Sequence, residues 1–191
     1  MNGNQNPLSD RHYRPLPAEA VRLCEALSAP PRLVAHLILV HDFASRLMER
    51  LGEAFPGLTF DREAVLFGAA THDLGKTVYR DELIASGHKH QERGVEVLRS
   101  MGVPEEKARF AYTHGNWEHA ENATLEDLLV ALSDKCWKGK RIEKLESMTV
   151  SFISSATGEP EWTCFAKLDE ILMGLAQDAD ARLAWQAGFA S

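Results

Sequence analysis

From Pro17 to the end of the chain, almost every segment carries apolar residues at helical spacing, and the strict alternation of β-branched residues that marks a strand is nearly absent. That periodicity restricts the fold to the all-α class. At 191 residues, with 45% hydrophobic and 26% charged residues, the chain has the length and composition of one compact globular unit with a single substantial core. The first sixteen residues, MNGNQNPLSDRHYRPL, are polar and rich in Asn and Pro. By themselves they cannot bury enough apolar area to fix a structure, so residues 1–16 are expected to form a loosely packed tail and residues 17–191 one helical domain.

Helix boundaries follow from Pro, Gly and capping residues. One helix is expected over Pro17–Leu27, and a second opening at Pro30-Pro31 and ending near Gly52. Phe55-Pro56-Gly57 makes a turn. Asp61 is placed to cap a helix that carries Ala64 to His72 and stops around Gly75. A short helix around Asp81–Ala85, one over His88–Met101 and one from Pro104 to about His114 follow. Thr124 and Asp127 form a capping box for Leu125–Trp137, and the remainder, broken at residues 154–160, supplies two or three more helices.

Composition also removes several functions. The longest apolar runs fall far short of the ~20 residues that cross a bilayer, and the N-terminus has no basic-then-apolar leader pattern, so a cytoplasmic protein without membrane contact is expected. Cys24, Cys136 and Cys164 are widely spaced and form no CxxC pair, which indicates buried thiols rather than a zinc knuckle or disulfide framework. A net charge of -7 opposes binding to an extended nucleic-acid backbone. An anionic small molecule would need local help from metal ions or a basic pocket.

Eight histidines, at 12, 36, 41, 72, 88, 90, 114 and 119, concentrate between residues 36 and 119. A lone His is more often a surface or hydrogen-bonded core residue than a ligand. Imidazole and carboxylate are nevertheless the natural ligands of transition ions, and a helical bundle can gather them from facing helices. The dipeptide His-Asp occurs twice. His41-Asp42 lies within a long helical pattern, where neighbours point ~100° apart. His72-Asp73 ends the small-residue run VLFGAAT and is followed by Leu-Gly-Lys, so both side chains can turn inward where a buried helix stops. A buried Asp without a cation beside it is costly, which favours a ligand role there.

The segment THDLGK at 71–76 resembles the signature of the HD-domain superfamily of metal-dependent phosphohydrolases, and the resemblance extends over about residues 32–141, leaving helices 142–191 outside it. It implies a compact helical bundle and assigns further positions. His36, with Val40 and Ala44, is similar to the family's first His; His41 is the competing choice but has Ser45 at the corresponding place. His90 in HQERG, His114 in AYTHGNW and Asp134 in LVALSDK resemble the remaining elements. By that resemblance His36, His72, Asp73 and Asp134 would hold one ion, and Asp73, His90 and His114 a second, with Asp73 bridging. The ions implied are divalent transition metals (Mn, Fe, Co, Ni or Zn, with Mg as an option). His12, His88 and His119 have no place in the pattern, although His88 stands close to His90.

Two such ions can hold both nucleophile and leaving oxygen of a phosphoryl group, which implies a phosphohydrolase acting on a small anionic substrate such as a nucleotide. Lys76 is the expected catalytic clamp beside Asp73. Lys135, Lys138, Lys140, Arg141 and Lys144 add five cations within ten residues. On a helix continuing from Asp134, Lys138 and Arg141 share its face and would receive the substrate. Lys140 and Lys144 read equally well as a solvated face balanced by Glu143 and Glu146, and Trp117 and Trp137 as core rather than base-stacking residues. Members of the same superfamily that are mixed-valent di-iron oxygenases resemble this ligand order too, and a non-catalytic nucleotide- or metal-binding module is a third alternative.

Overall fold

A computed structural model describes residues 6–9, 12–120 and 122–190. Among them the secondary structure is entirely helical: α1 (Ala18–Ala26), α2 (Pro31–Ala54), α3 (Arg62–Thr71), α4 (Lys89–Ser100), α5 (Glu105–Ala108), α6 (Phe110–Asn116), α7 (Leu125–Cys136), α8 (Glu143–Thr157), α9 (Glu161–Ala176) and α10 (Ala179–Ala187). Short 3₁₀ turns cover Pro7–Ser9, Leu74–Thr77 and Arg80–Leu83. No helix is long and apolar enough to cross a membrane among the described residues.

The centre of the bundle is α2. Pro31 occupies its first turn, where a missing N–H costs nothing, and residues 33–45 are buried without interruption, so the helix is enclosed on all sides. Helices α3, α7, α9 and α10 pack around it. Asp61 caps α3 by accepting from the Ala64 amide at 2.9 Å. Thr124 and Asp127 form the expected capping box on α7. Asp127 also accepts from Thr113 Oγ1 at 2.8 Å and Arg109 Nε at 3.1 Å, which ties α5 and α6 to the start of α7.

Several sequence expectations need correction. The expected tail falls partly on residues 1–5, 10 and 11, which lie outside the described residues. Within the described part, His12, Arg14 and Pro15 are exposed, while Tyr13 and Leu16 join the core and Tyr13 meets the Trp185 ring edge-on at 4.8 Å. Local composition under-weights this because the groove that receives these side chains is built from distant helices. The break placed at 154–160 shrinks to 158–160. α8 runs on to Thr157, and Gly158, whose φ of +75° lies in the left-handed region, ends it. The helix expected from Pro104 to His114 divides at Arg109 into α5 and α6.

Candidate metal centre

The small-residue run of α3 explains why His72 and Asp73 point inward. Gly68 lets the Phe110 ring and Val130 approach so closely that a Cβ there would sit 2.7 Å from Phe110 Cγ. α3 can therefore press flat against α6 and α7 before it ends, with His72 0% and Asp73 2% exposed. Gly75 then meets the backbone of α4: a Cβ at that position would lie 1.9 Å from the His90 carbonyl oxygen and 2.7 Å from the Gly94 amide. The glycines of LGK and HQERG thus share one purpose. Together they allow the turn after Asp73 and the helix bearing His90 to touch backbone to backbone.

This packing brings together the six expected ligands. One ligand atom each from His36, His72, Asp73 and Asp134 lies within 4.8 Å of the others, and the same holds for Asp73, His90 and His114. Asp73 divides its oxygens between the groups. Oδ2 is 3.1 Å from His36 Nε2 and 3.7 Å from His72 Nε2, whereas Oδ1 is 3.2 Å from His90 Nε2 and 3.6 Å from His114 Nε2. Asp134 Oδ1 stands 3.4 Å from His36 Nε2 and 3.5 Å from His72 Nε2, and its Oδ2 accepts from Lys135 Nζ at 2.6 Å.

The surrounding protein sets the orientation of each ring. The Ala69 and Phe110 carbonyls can only accept, and they stand 3.1 Å from His72 Nδ1 and His114 Nδ1; in the neutral rings the proton is therefore on Nδ1 and an Nε2 lone pair faces inward. His90 Nδ1 is 2.5 Å from Glu82 Oε2, and Glu82 also accepts from the backbone amides of Lys89 and His90. Sequence reasoning missed Glu82. Its only signal was an acidic residue in a short 3₁₀ turn, and its link to His90 depends on how that turn folds back.

Two observations fit this donor set to metal ions. Asp73 Oδ1 is buried with no hydrogen-bond partner. The Nε2 atoms of the two groups converge, at 3.2 Å between His36 and His72 and 3.4 Å between His90 and His114. Burial opposes a charged His36, yet hydrogen bonds and charge from Asp134 and Asp73 outweigh it and raise its pKa. Burial likewise raises the Asp73 carboxyl, but Lys76, His72, His36 and His90 prevail and hold it well below the usual carboxylate range. His114 behaves differently. Burial, helped by neighbouring His72, lowers it to about 3 and keeps it a neutral donor.

Lys76 Nζ donates to Asp73 Oδ2 at 2.6 Å. A cavity of about 250 Å³ adjoins the cluster, lined by His36, Asp73, Lys76, Leu83, Trp137 and Lys138, by Arg32 and Leu33 at the start of α2, and by Leu183 and Gln186 of α10. Cavities of about 320 Å³ beside α1 and about 1320 Å³ between α2 and α9 share none of the cluster's residues. Arg141 is not part of the site. α7 stops at Cys136 and Gly139 turns the chain at φ +77°, so the face carried forward from Asp134 reaches Lys138 but not Arg141. The Arg141 guanidinium instead binds Glu146 at 2.6 Å and Asp169 at 2.8 Å.

The second His-Asp pair has a different use. Asp42 accepts from the Arg14 amide at 3.1 Å and pairs with Arg46 at 2.9 Å, so His41-Asp42 anchors the N-terminal segment and stays outside both ligand groups. His12, His88 and His119 are exposed and do not join them. Trp117 and Trp137 are buried, the latter with its ring edge-on to His36 at 5.3 Å between centroids.

Fold and site together define an all-helical protein with a buried His/Asp cluster able to hold metal ions. Residues 33–137, more than half of its length, match the family model described as HD domain, and the chain belongs to that family. No curated protein and no solved structure matches it.

Proposed function

We propose that this protein is a metal-dependent phosphohydrolase that holds two divalent transition ions and cleaves a phosphoester of a small anionic substrate such as a nucleotide. The observation that carries the reading is Asp73: its two oxygens face two separate imidazole groups, and one is buried without a partner. His36, His72, Asp73 and Asp134 would hold one ion, and Asp73, His90 and His114 the other. Bound there, such ions supply hydroxide at neutral pH and offset charge growing on phosphoryl oxygens.

The chain's own groups do the rest. Lys76, anchored on Asp73, offers its remaining N–H donors to a non-bridging phosphoryl oxygen at the cavity wall, and Lys138 stands on the same wall to receive the anion. The Glu82 carboxylate keeps the His90 proton on Nδ1, so that Nε2 stays available inward. Trp137 and Leu33 shield this end of the cavity from water. We place the protein in the cytoplasm, where its three buried, unbonded thiols are stable.

Elemental analysis of the purified chain, with phosphate release from a panel of mono- and dinucleotides under Mn, Co, Ni or Mg, tests the reading. Metal retention and phosphate release are expected, both lost in Asp73→Ala and both kept in Asp42→Ala. A chain without transition metal and without phosphate release, or equal losses in the two variants, rejects it. Four imidazoles and two carboxylates also suit iron, and this donor set carries a second reading as a di-iron oxygenase. Iron-loaded protein that consumes oxygen and oxidises substrate carbon without phosphate release would establish that alternative.

A further inference from the structure

The basic residues near the cluster divide into two kinds. Lys76 and Lys135 are paired with Asp73 and Asp134, Lys144 with Glu118, and Arg141 with Glu146 and Asp169. Arg32 and Lys138 also border the cavity, and neither has a carboxylate within ion-pair reach among the described residues. In a chain of net charge -7, two cations without an ion-pair partner on one small cavity mark a place for negative charge. Two neutral donors accompany them. The Gln186 amide lines the same cavity, and Trp137, only 2% exposed, keeps an indole N–H with no acceptor.

These groups are held in place by contacts outside the ligand shell. Arg32 sits one helical turn before His36, about 6 Å along the axis of α2. Gln186 is fixed because α10 is fastened at both ends. At one end Arg182, buried across the Phe43 ring, donates to the Trp137 carbonyl at 2.5 Å and the Leu175 carbonyl at 2.8 Å. At the other the Arg32 amide donates to the Ala190 carbonyl at 2.9 Å. Arg32 and α10 both lie outside residues 33–137, so nothing in the family match assigns them a role.

We infer that Arg32, Lys138 and Gln186 form a second anion-binding subsite, which takes the far acidic group of a substrate whose phosphoryl end lies beside Lys76. The substrate class is then a small molecule with two separated acidic groups. Which end reacts rests on the phosphohydrolase reading, whereas the subsite itself does not. Leu33, Leu83 and Leu183 also line the cavity and suit a short carbon chain joining the two acids.

A matched pair of probes tests the subsite by titration calorimetry: 3-phosphonopropionate, with a carboxylate at its far end, and n-propylphosphonate, with a methyl group there. The metal-loaded full chain is expected to bind the first about tenfold more tightly. In Arg32→Gln and in Gln186→Leu the preference should fall to about twofold, with propylphosphonate affinity, metal content and melting temperature unchanged, whereas Lys138→Met should weaken both probes. Equal binding of the two probes by the native chain overturns the inference, as does a preference that survives in the double variant combining Arg32→Gln with Gln186→Leu. The outcomes also separate the two readings: a chain that hydrolyses phosphoesters but shows no preference loses the subsite alone. One that shows the preference yet never releases phosphate keeps the subsite and loses the hydrolase.

Discussion

Asp73 and Glu82 act at different distances from the same centre. The first offers an oxygen to each ligand group, and the second never reaches the inner atoms but decides what His90 presents to them. A histidine whose outer nitrogen is held by a carboxylate is both oriented and made a better donor, and losing such a partner typically costs about 10–100-fold in metal affinity. Glu82→Gln keeps the shape and removes the charge. It should weaken retention of one ion by about tenfold in chelator competition while leaving the other in place; unchanged retention would mean that Glu82 merely ties the 3₁₀ turn to α4. His36, His72, Asp73, His90, His114 and Asp134 could be singled out as candidates because motif order survives in a bare sequence, and they lie together here. Glu82 was not, since its value comes from a contact eight residues away that no spacing rule encodes.

At the scale of elements, the centre depends on two backbones meeting. The turn Leu74–Thr77 and helix α4 touch through Gly75 and Gly94, and that contact sets how deeply His90 reaches towards Asp73. Gly75→Ala puts a methyl group into the His90 carbonyl, so the helix must retreat; such overpacking costs about 1–3 kcal/mol. On the proposed two-ion reading, the expected outcome is a folded, helical protein that retains about one ion fewer than the native chain, because the group of His36, His72, Asp73 and Asp134 does not use α4. Equal loss of both ions, with circular dichroism unchanged, would contradict this division. Helix starts at Pro31, Asp61 and Thr124 were readable because capping is local chemistry. The position of Arg141 was not. It required knowing that α7 stops at Cys136, after which the 3.6-residue rule no longer locates a side chain.

For the molecule as a whole, His41 makes stability depend on acid. Buried at the seam between α2 and the N-terminal segment, with Nδ1 unpartnered, it is held neutral, and burial lowers its pKa from 6.5 to about 4. The unfolded chain therefore binds a proton more readily than the folded one between those values. The neutral ring's stabilising contribution is fully present above pH 6.5 and is lost as pH falls towards 4, a difference of about 3 kcal/mol at ~1.4 kcal/mol per unit. Urea unfolding of chelator-treated wild type against His41→Asn should show the wild type losing ground to the variant across that window; parallel curves would exclude His41 as the source. The all-α architecture was visible in the periodicity. The docking of Tyr13 was hidden because its ring partner, Trp185, lies at the opposite end of the sequence.

The placement of His36 on α2 and Asp134 on α7 also bears on how the chain unfolds. An ion gripped by both closes a loop of about a hundred residues, and closing a loop that long withdraws much of the freedom an unfolded chain would otherwise gain. Metal at this centre would then serve as a removable cross-link across most of the fold, so that a chelator changes the rate at which the protein falls apart and not only what it can bind.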